Sequence, residues 1–160
     1  MKFQKISCSE SLRLIECINP RRDVWATRWN HHHDPEEGWV VLEAITNGRP
    51  SVEEIRDAIG EYIDNQKQEN IVNGFSWNGH PVKLTDTAQR NFLFAVYSLD
   101  KTGEIDRASF IGLLEAETDA AAADELGDMV AAMWKHIEKC RNLGKECKQA
   151  VDYTPYEAEL

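Results

Sequence analysis

The sequence predicts an α+β fold in three parts. These are a small β-rich N-terminal module over residues 1–50, a linking amphipathic helix over 51–70, and a β-hairpin packed on a helical C-terminal domain over 71–160. Three observations carry the prediction. The stretch "NGFSWNGHPVKL", residues 73–84, alternates large apolar and polar residues on either side of an Asn-Gly pair, the pattern of a two-stranded ribbon. Apolar residues recur at three- and four-residue steps through 51–70 and again beyond residue 85, the period of a helix with one greasy face. "GWVVLEAI" is rich in β-branched and aromatic residues, as strands are.

The totals exclude several classes. At 160 residues a chain buries about two thirds of its unfolded surface, enough for a core without staples. Its formal net charge is -10, which disfavours binding to nucleic acid, where Lys and Arg must displace counterions. No window approaches the ~18 consecutive apolar residues of a membrane span. The opening "MKFQKISCSESLRL" has no apolar run of the kind a secretory leader needs, so none is expected. Cys8, Cys17, Cys140 and Cys147 lack the short spacing of zinc knuckles and are expected to be free thiols.

Taken in order, "KFQKI" and "GWVVLEAI" are expected strands, and "SESLRLIECI" favours strand over a short helix through the alternation of Leu12, Leu14 and Glu16. "NPRRDVWATRWNHHHDPEEG" is polar and turn-rich, and is expected to form a long, partly exposed loop. Asn47-Gly48 and Pro50 break structure, after which Ser51 and Glu54 form a capping box that opens the linking helix. Val52, Ile55, Ile59, Tyr62 and Ile63 make its apolar stripe. Gly60 within it predicts a closely packed neighbour.

In the ribbon, Asn78 and Gly79 occupy the two positive-φ positions of a type I′ turn. Phe75, Trp77, Val82 and Leu84 then point to one face, which a helix must cover because a lone hairpin is marginal in water. Thr85 caps that helix. Its stripe of Phe92, Ala95, Val96 and Leu99 is joined by a second of Leu93, Phe94 and Tyr97, so the helix is expected to be buried on two sides. After the connector "DKTGEIDRAS" and the short apolar segment "FIGLLEA", a long helix places Leu126, Met129, Val130, Met133, Trp134 and Ile137 inward. "DYTPYEAEL" is expected to trail off as an extended tail.

The run Val72–Gly79 with Val82 and Leu84 resembles the opening of a domain-of-unknown-function family found in tailed phages and prophages. The likeness extends from about Ile55 to Tyr156 and includes the closing Asp152-Tyr153. Members of that family often carry an extra strand pair where this chain has only "DKTGEIDRASF". The resemblance implies a place in or beside tail-fibre and tail-assembly proteins, in the virion or in the host cytoplasm during assembly. It carries over no catalytic residue.

Four constellations compete with bland readings. His31 and His33, with Asp34 or Glu36, are the nearest approach to a metal-ligand set, but a solvated or inter-subunit loop is the preferred reading. "SLDKTGEIDRASF" has an EF-hand outline, yet alignment on Gly103 puts Ser98 and Ser109 where calcium needs carboxylates. His136 and Cys140 share a helix face without the third group that would activate a thiol. Arg21, Arg22, Trp25, Arg28 and Trp29 combine the residue types that protein interfaces favour.

The expected function is therefore a non-enzymatic phage structural or tail-fibre assembly protein, docking on other virion or tail proteins through the 1–50 module. No cofactor, nucleic acid or membrane is expected to be involved. Homo-oligomerisation is expected if the 51–70 helix has a second apolar partner. The alternatives are a metal-dependent enzyme or metal-stabilised oligomer built on His31 to Asp34, and a host-directed inhibitor protein.

Overall fold

The computed structural model describes residues 1–110 and 112–159; Ile111 of the expected short apolar segment and the terminal Leu160 lie outside them. The fold is α+β. Four antiparallel strands, β1 (Gln4–Ser7), β2 (Ile15–Asn19), β3 (Val24–Asp34) and β4 (Gly38–Asn47), form a sheet in the order β1-β4-β3-β2. Helix α1 (Val52–Asn73), the ribbon β5 (Phe75–Trp77) and β6 (His80–Val82), α2 (Asp86–Thr102), a short 3-10 helix (Arg107–Phe110), α3 (Asp119–Ala150) and α4 (Thr154–Glu159) follow.

The chain divides into two compact units, and not at the expected boundaries. Residues 1–65 and 147–160 make the first, and residues 66–146 the second. The expected 51–70 linker is the longer helix α1, which contributes to two cores: Ile55, Ile59 and Ile63 belong to one, and Ile71 to the other. Its capping box forms as the sequence requires, Ser51 N–H donating to Glu54 Oε2 at 2.8 Å and Glu54 N–H to Ser51 Oγ at 3.2 Å. Gly60, however, has no neighbour within 4 Å of where a Cβ would stand, so the close packing expected there is absent.

In the first unit, α1 and α4 lay apolar residues on one sheet face, around Ile15, Leu14, Trp25 and Trp29. The expected 19–38 loop is instead mostly strand: β3 runs straight through "VWATRWNHHHD" and pairs with β4 from Val24↔Asn47 to Asp34↔Gly38. A β-bulge between Trp29 and His32, with Asn30 at φ 55, absorbs one extra residue. Polarity misled here because the strand's second face tolerates polar side chains. The expected extended tail is helix α4, whose Tyr156 is buried and donates its hydroxyl to the Arg28 carbonyl at 2.7 Å.

In the second unit the ribbon forms as expected. Phe75 pairs with Val82 and Trp77 with His80, and Asn78 (φ 48) and Gly79 (φ 76) make the left-handed turn. Phe75, Val82 and Leu84 are buried with Phe92 of α2 and with Leu126, Met129, Val130, Met133 and Ile137 of α3. Trp77 packs against this cluster, half-buried. The turn is tied down by Asn78, whose amide donates to Glu125 Oε1 at 2.7 Å.

Trp134 departs from its predicted inward position and is 40% exposed. One residue past Met133, it turns about 100° away from the stripe that faces the core. Helix α2 also departs: its first stripe packs inward, but Leu93, Phe94 and Tyr97 are exposed.

Candidate functional site

The bare face of α2 is the most conspicuous surface in the molecule. Thr85 caps the helix, its hydroxyl accepting from Ala88 N–H at 3.1 Å, and Gly103 (φ 72) ends it in the left-handed conformation, its N–H donating to the Leu99 carbonyl. That stop turns the EF-hand outline into an ordinary helix terminus. Asp106 uses its carboxylate on Ala108 N–H and the Ser109 hydroxyl, as a local turn does.

Between those caps, Phe92, Ala95 and Val96 contact the core. On the other side Phe94 is 70% exposed, Tyr97 60% and Leu93 38%. Lys101 lies with Nζ 5.6 Å from the centroid of the Tyr97 ring. Beside this stripe opens a cleft of about 500 Å³, lined by Phe92, Phe94, Ala95, Ile105 and Phe110 among others. Phe94 belongs to both, so stripe and cleft form one continuous surface. Scattered exposed apolar residues are normal; here three adjoin one another beside a mixed apolar and polar cleft, which makes the α2 face a candidate binding surface.

The residues expected to meet a partner are mostly engaged within their own unit. Arg28 is held by Glu43 (Nε to Oε2, 2.7 Å), by Glu16 (Nη1 to Oε2, 2.7 Å) and by the Arg13 carbonyl at 2.9 Å. Burial works against the guanidinium charge there, but hydrogen bonds to Glu16 and Glu43 outweigh it and raise its pKa above the ordinary value. Trp29 meets Tyr62 edge-on, with ring centroids 5.7 Å apart, and Phe3 at 6.1 Å. Trp25 donates its indole N–H to Asp23 at 2.7 Å, under the Arg49 guanidinium. Only Arg21 and Arg22 of that set are fully exposed, on the β2–β3 turn.

The histidine tract lies on β3. His31 and His33 flank the Trp39 ring, with centroids at 4.8 and 5.3 Å. The Nε2 of His31 lies 3.1 Å from the Ser9 carbonyl, which only accepts, so that nitrogen carries the hydrogen and is no ligand. Asp34 accepts from Glu36 and Glu37 N–H and closes the β3–β4 turn; those bonds hold its carboxyl below the ordinary carboxylate range. Among the described residues no three His, Cys, Asp or Glu side chains converge on a point that suits a metal ion.

His136 and Cys140 are together, with Sγ 3.7 Å from Nε2. The same nitrogen lies 3.0 Å from the Asn70 carbonyl, so it acts as donor and not as the base that would ionise a thiol. Helix packing accounts for the pair. The remaining strongly held acid is Glu125. It gathers the N–H groups of Glu115 and Ala116 and the amide of Asn78, at 2.7 to 3.0 Å. The Glu115 N–H, aided by Ala116 N–H and the Asn78 amide against the cost of desolvation, keeps its pKa below the usual carboxylate value. Glu125 thus ties the ribbon turn and the segment before α3 to that helix.

No family model, curated protein or solved structure matches this chain, and the likeness to the phage family rests on the quoted residues alone.

The interaction stripe itself carried a sequence signal: two apolar stripes on one helix. The same pattern fits burial between neighbours, because helices apolar on two sides are often sandwiched. Nothing in the sequence says whether a second neighbour exists.

Proposed function

We propose that this chain is a non-enzymatic docking protein of a phage or prophage, acting in the virion tail or in the assembly of its fibres. The observation that supports docking is the bare Leu93–Phe94–Tyr97 stripe, continuous with that cleft. Clustered aromatics of this kind carry most of the energy of protein interfaces, because they bury large rigid surfaces at low entropic cost. The phage context comes from the resemblance of the ribbon and the elements around it.

The docking surface differs from the one expected. The Arg/Trp set of the first unit is largely taken up by that unit's own packing, whereas α2 leaves its aromatics to solvent. Acidic surroundings limit unwanted association, and an apolar stripe within them gives a partner a defined seat.

The test is co-fractionation during particle assembly. Purified particles and assembly lysates are compared by mass spectrometry, with the wild-type chain and with a Phe94→Ala/Tyr97→Ala variant. The wild type is expected to travel with tail or fibre components, in the lysate or also in the particle. The variant is expected to lose them while its unfolding transition stays in place. A wild-type chain that never accompanies virion components refutes the reading.

A further inference from the structure

We infer that the outer face of α2 receives a second copy of α2, antiparallel about a two-fold axis level with residue 95. The inference rests on the docking reading of that face, and not on the phage context; the second copy holds the face reversibly and gives way to a virion component that binds there. Arg90, Leu93, Tyr97 and Asp100 are all exposed. They follow one another at steps of three, four and three residues, the a-d-a-d rhythm of a helix-pairing seam. Phe94 flanks that seam near its middle.

In an antiparallel pair, residues equidistant from the axis meet, and each contact occurs twice. Leu93 of one copy then packs on Tyr97 of the other. Arg90 of one faces Asp100 of the other, while Phe94 lies close to the axis. Moving the axis half a residue on, to midway between 95 and 96, also joins aromatics, Phe94 with Tyr97. That register sets Arg90 against Lys101, so like charges oppose it. The charged ends of the stripe therefore select one register over the other, as flanking charges do in paired helices.

Charge also argues for a second copy over an unrelated surface of the same chain. The net charge is -10, so most faces of two copies repel. Helix α1 carries six acidic residues (Glu53, Glu54, Asp57, Glu61, Asp64, Glu69) against Arg56 and Lys67. Helix α2 carries Asp86 and Asp100 against Arg90 and Lys101, and is neutral. It also holds the aromatic stripe. Arg90 and Asp100 have only weak local contacts: Arg90 Nε lies 3.3 Å from the Asp86 carbonyl, and Asp100 lies 3.3 Å from the adjacent Lys101. Both remain available.

The stripe is small. Side chains of this kind offer 150–250 Å² when fully bare, so Leu93, Phe94 and Tyr97 at their present exposure supply on the order of 350 Å² per copy. A standard stable interface buries roughly 800 Å² per partner, and a permanent dimer more still. The pairing is accordingly reversible and concentration-dependent.

Sedimentation velocity of the full chain over a wide concentration range tests this, with wild type, Arg90→Asp, Asp100→Arg and the double exchange. Both substituted positions are exposed, and unchanged circular dichroism confirms that the fold is intact in all three variants. The wild type is expected to form a dimer. Each single variant is expected to raise the half-association concentration by about tenfold, and the double exchange to restore it. A wild type that stays monomeric, single variants that dimerise as well as wild type, or a double variant no better than the singles, each overturns the pairing. The co-fractionation experiment reads the docking role separately, so either idea fails on its own result.

Discussion

The ribbon and α2 are neighbours in the chain and equally rich in large apolar residues, yet they treat them in opposite ways. Phe75 and Val82 are buried and Trp77 half-buried, while α2 buries Phe92 and leaves Leu93, Phe94 and Tyr97 in water. The ribbon alternates with period two, so its apolar side chains fall on a single face, and one core accommodates them. The helix spreads its apolar residues around more than half its circumference, and the core it meets covers only one side. An apolar set wider than the core that receives it leaves a remainder facing solvent, which is why the α2 face is the surface proposed for docking.

A large expected effect that sharpens this contrast is at Trp77. Its replacement by Ala should cost near the lower end of the roughly 3–5 kcal/mol typical of buried aromatics, since the ring is half-buried. Chemical denaturation at neutral pH measures it. A cost near zero would mean the ribbon is no more integral than the α2 stripe.

A smaller effect is expected at the turn. Gly79 has φ 76, and a Cβ there meets nothing within 4 Å. Gly79→Ala therefore adds backbone strain alone, about 1 kcal/mol. The same denaturation experiment reads it, and a loss of several kcal/mol would point to a crowded turn instead.

The smallest effect is dependent on pH. Glu125 has a folded pKa depressed below its ordinary 4.5, chiefly by the Glu115 N–H. A depressed carboxylate contributes stability that is complete above the unfolded value and is lost as pH falls through the folded one. Wild-type stability should thus fall more steeply below pH 4.5 than that of Glu125→Gln, which cannot titrate. Parallel acid limbs in thermal melts of the two proteins would show that Glu125 does not hold the ribbon turn.

Much of the fold was legible because local signals were self-sufficient. Ser51 and Glu54 cap each other, Asn78-Gly79 permits one turn type, and the α1 and α3 stripes have a single helical period. The misses share a physical cause, which is that a partner distant in sequence decides the outcome. "VWATRWNHHHD" reads as loop until β4 is present to pair with it along its length. "DYTPYEAEL" reads as tail until Tyr156 finds the Arg28 carbonyl, 128 residues away in sequence.

The candidate site followed the same rule. Arg28, Trp25 and Trp29 have interface chemistry, but Glu16 and Glu43 claim Arg28, Asp23 claims Trp25, and Tyr62 and Phe3 claim Trp29. The α2 stripe was visible as a pattern, and its exposure, which no local rule reports, makes it a candidate site. Domain limits were hidden for a related reason: the boundary between the two units falls inside α1 and inside α3, so no break in secondary structure marks it.

The contrast between ribbon and helix is tested most directly by unfolding Phe75→Ala and Phe94→Ala side by side. Phe75 is 7% exposed and Phe94 70%. The account predicts a loss of about 3–5 kcal/mol for the first and less than about 0.5 kcal/mol for the second. Equal losses in the two variants would contradict it.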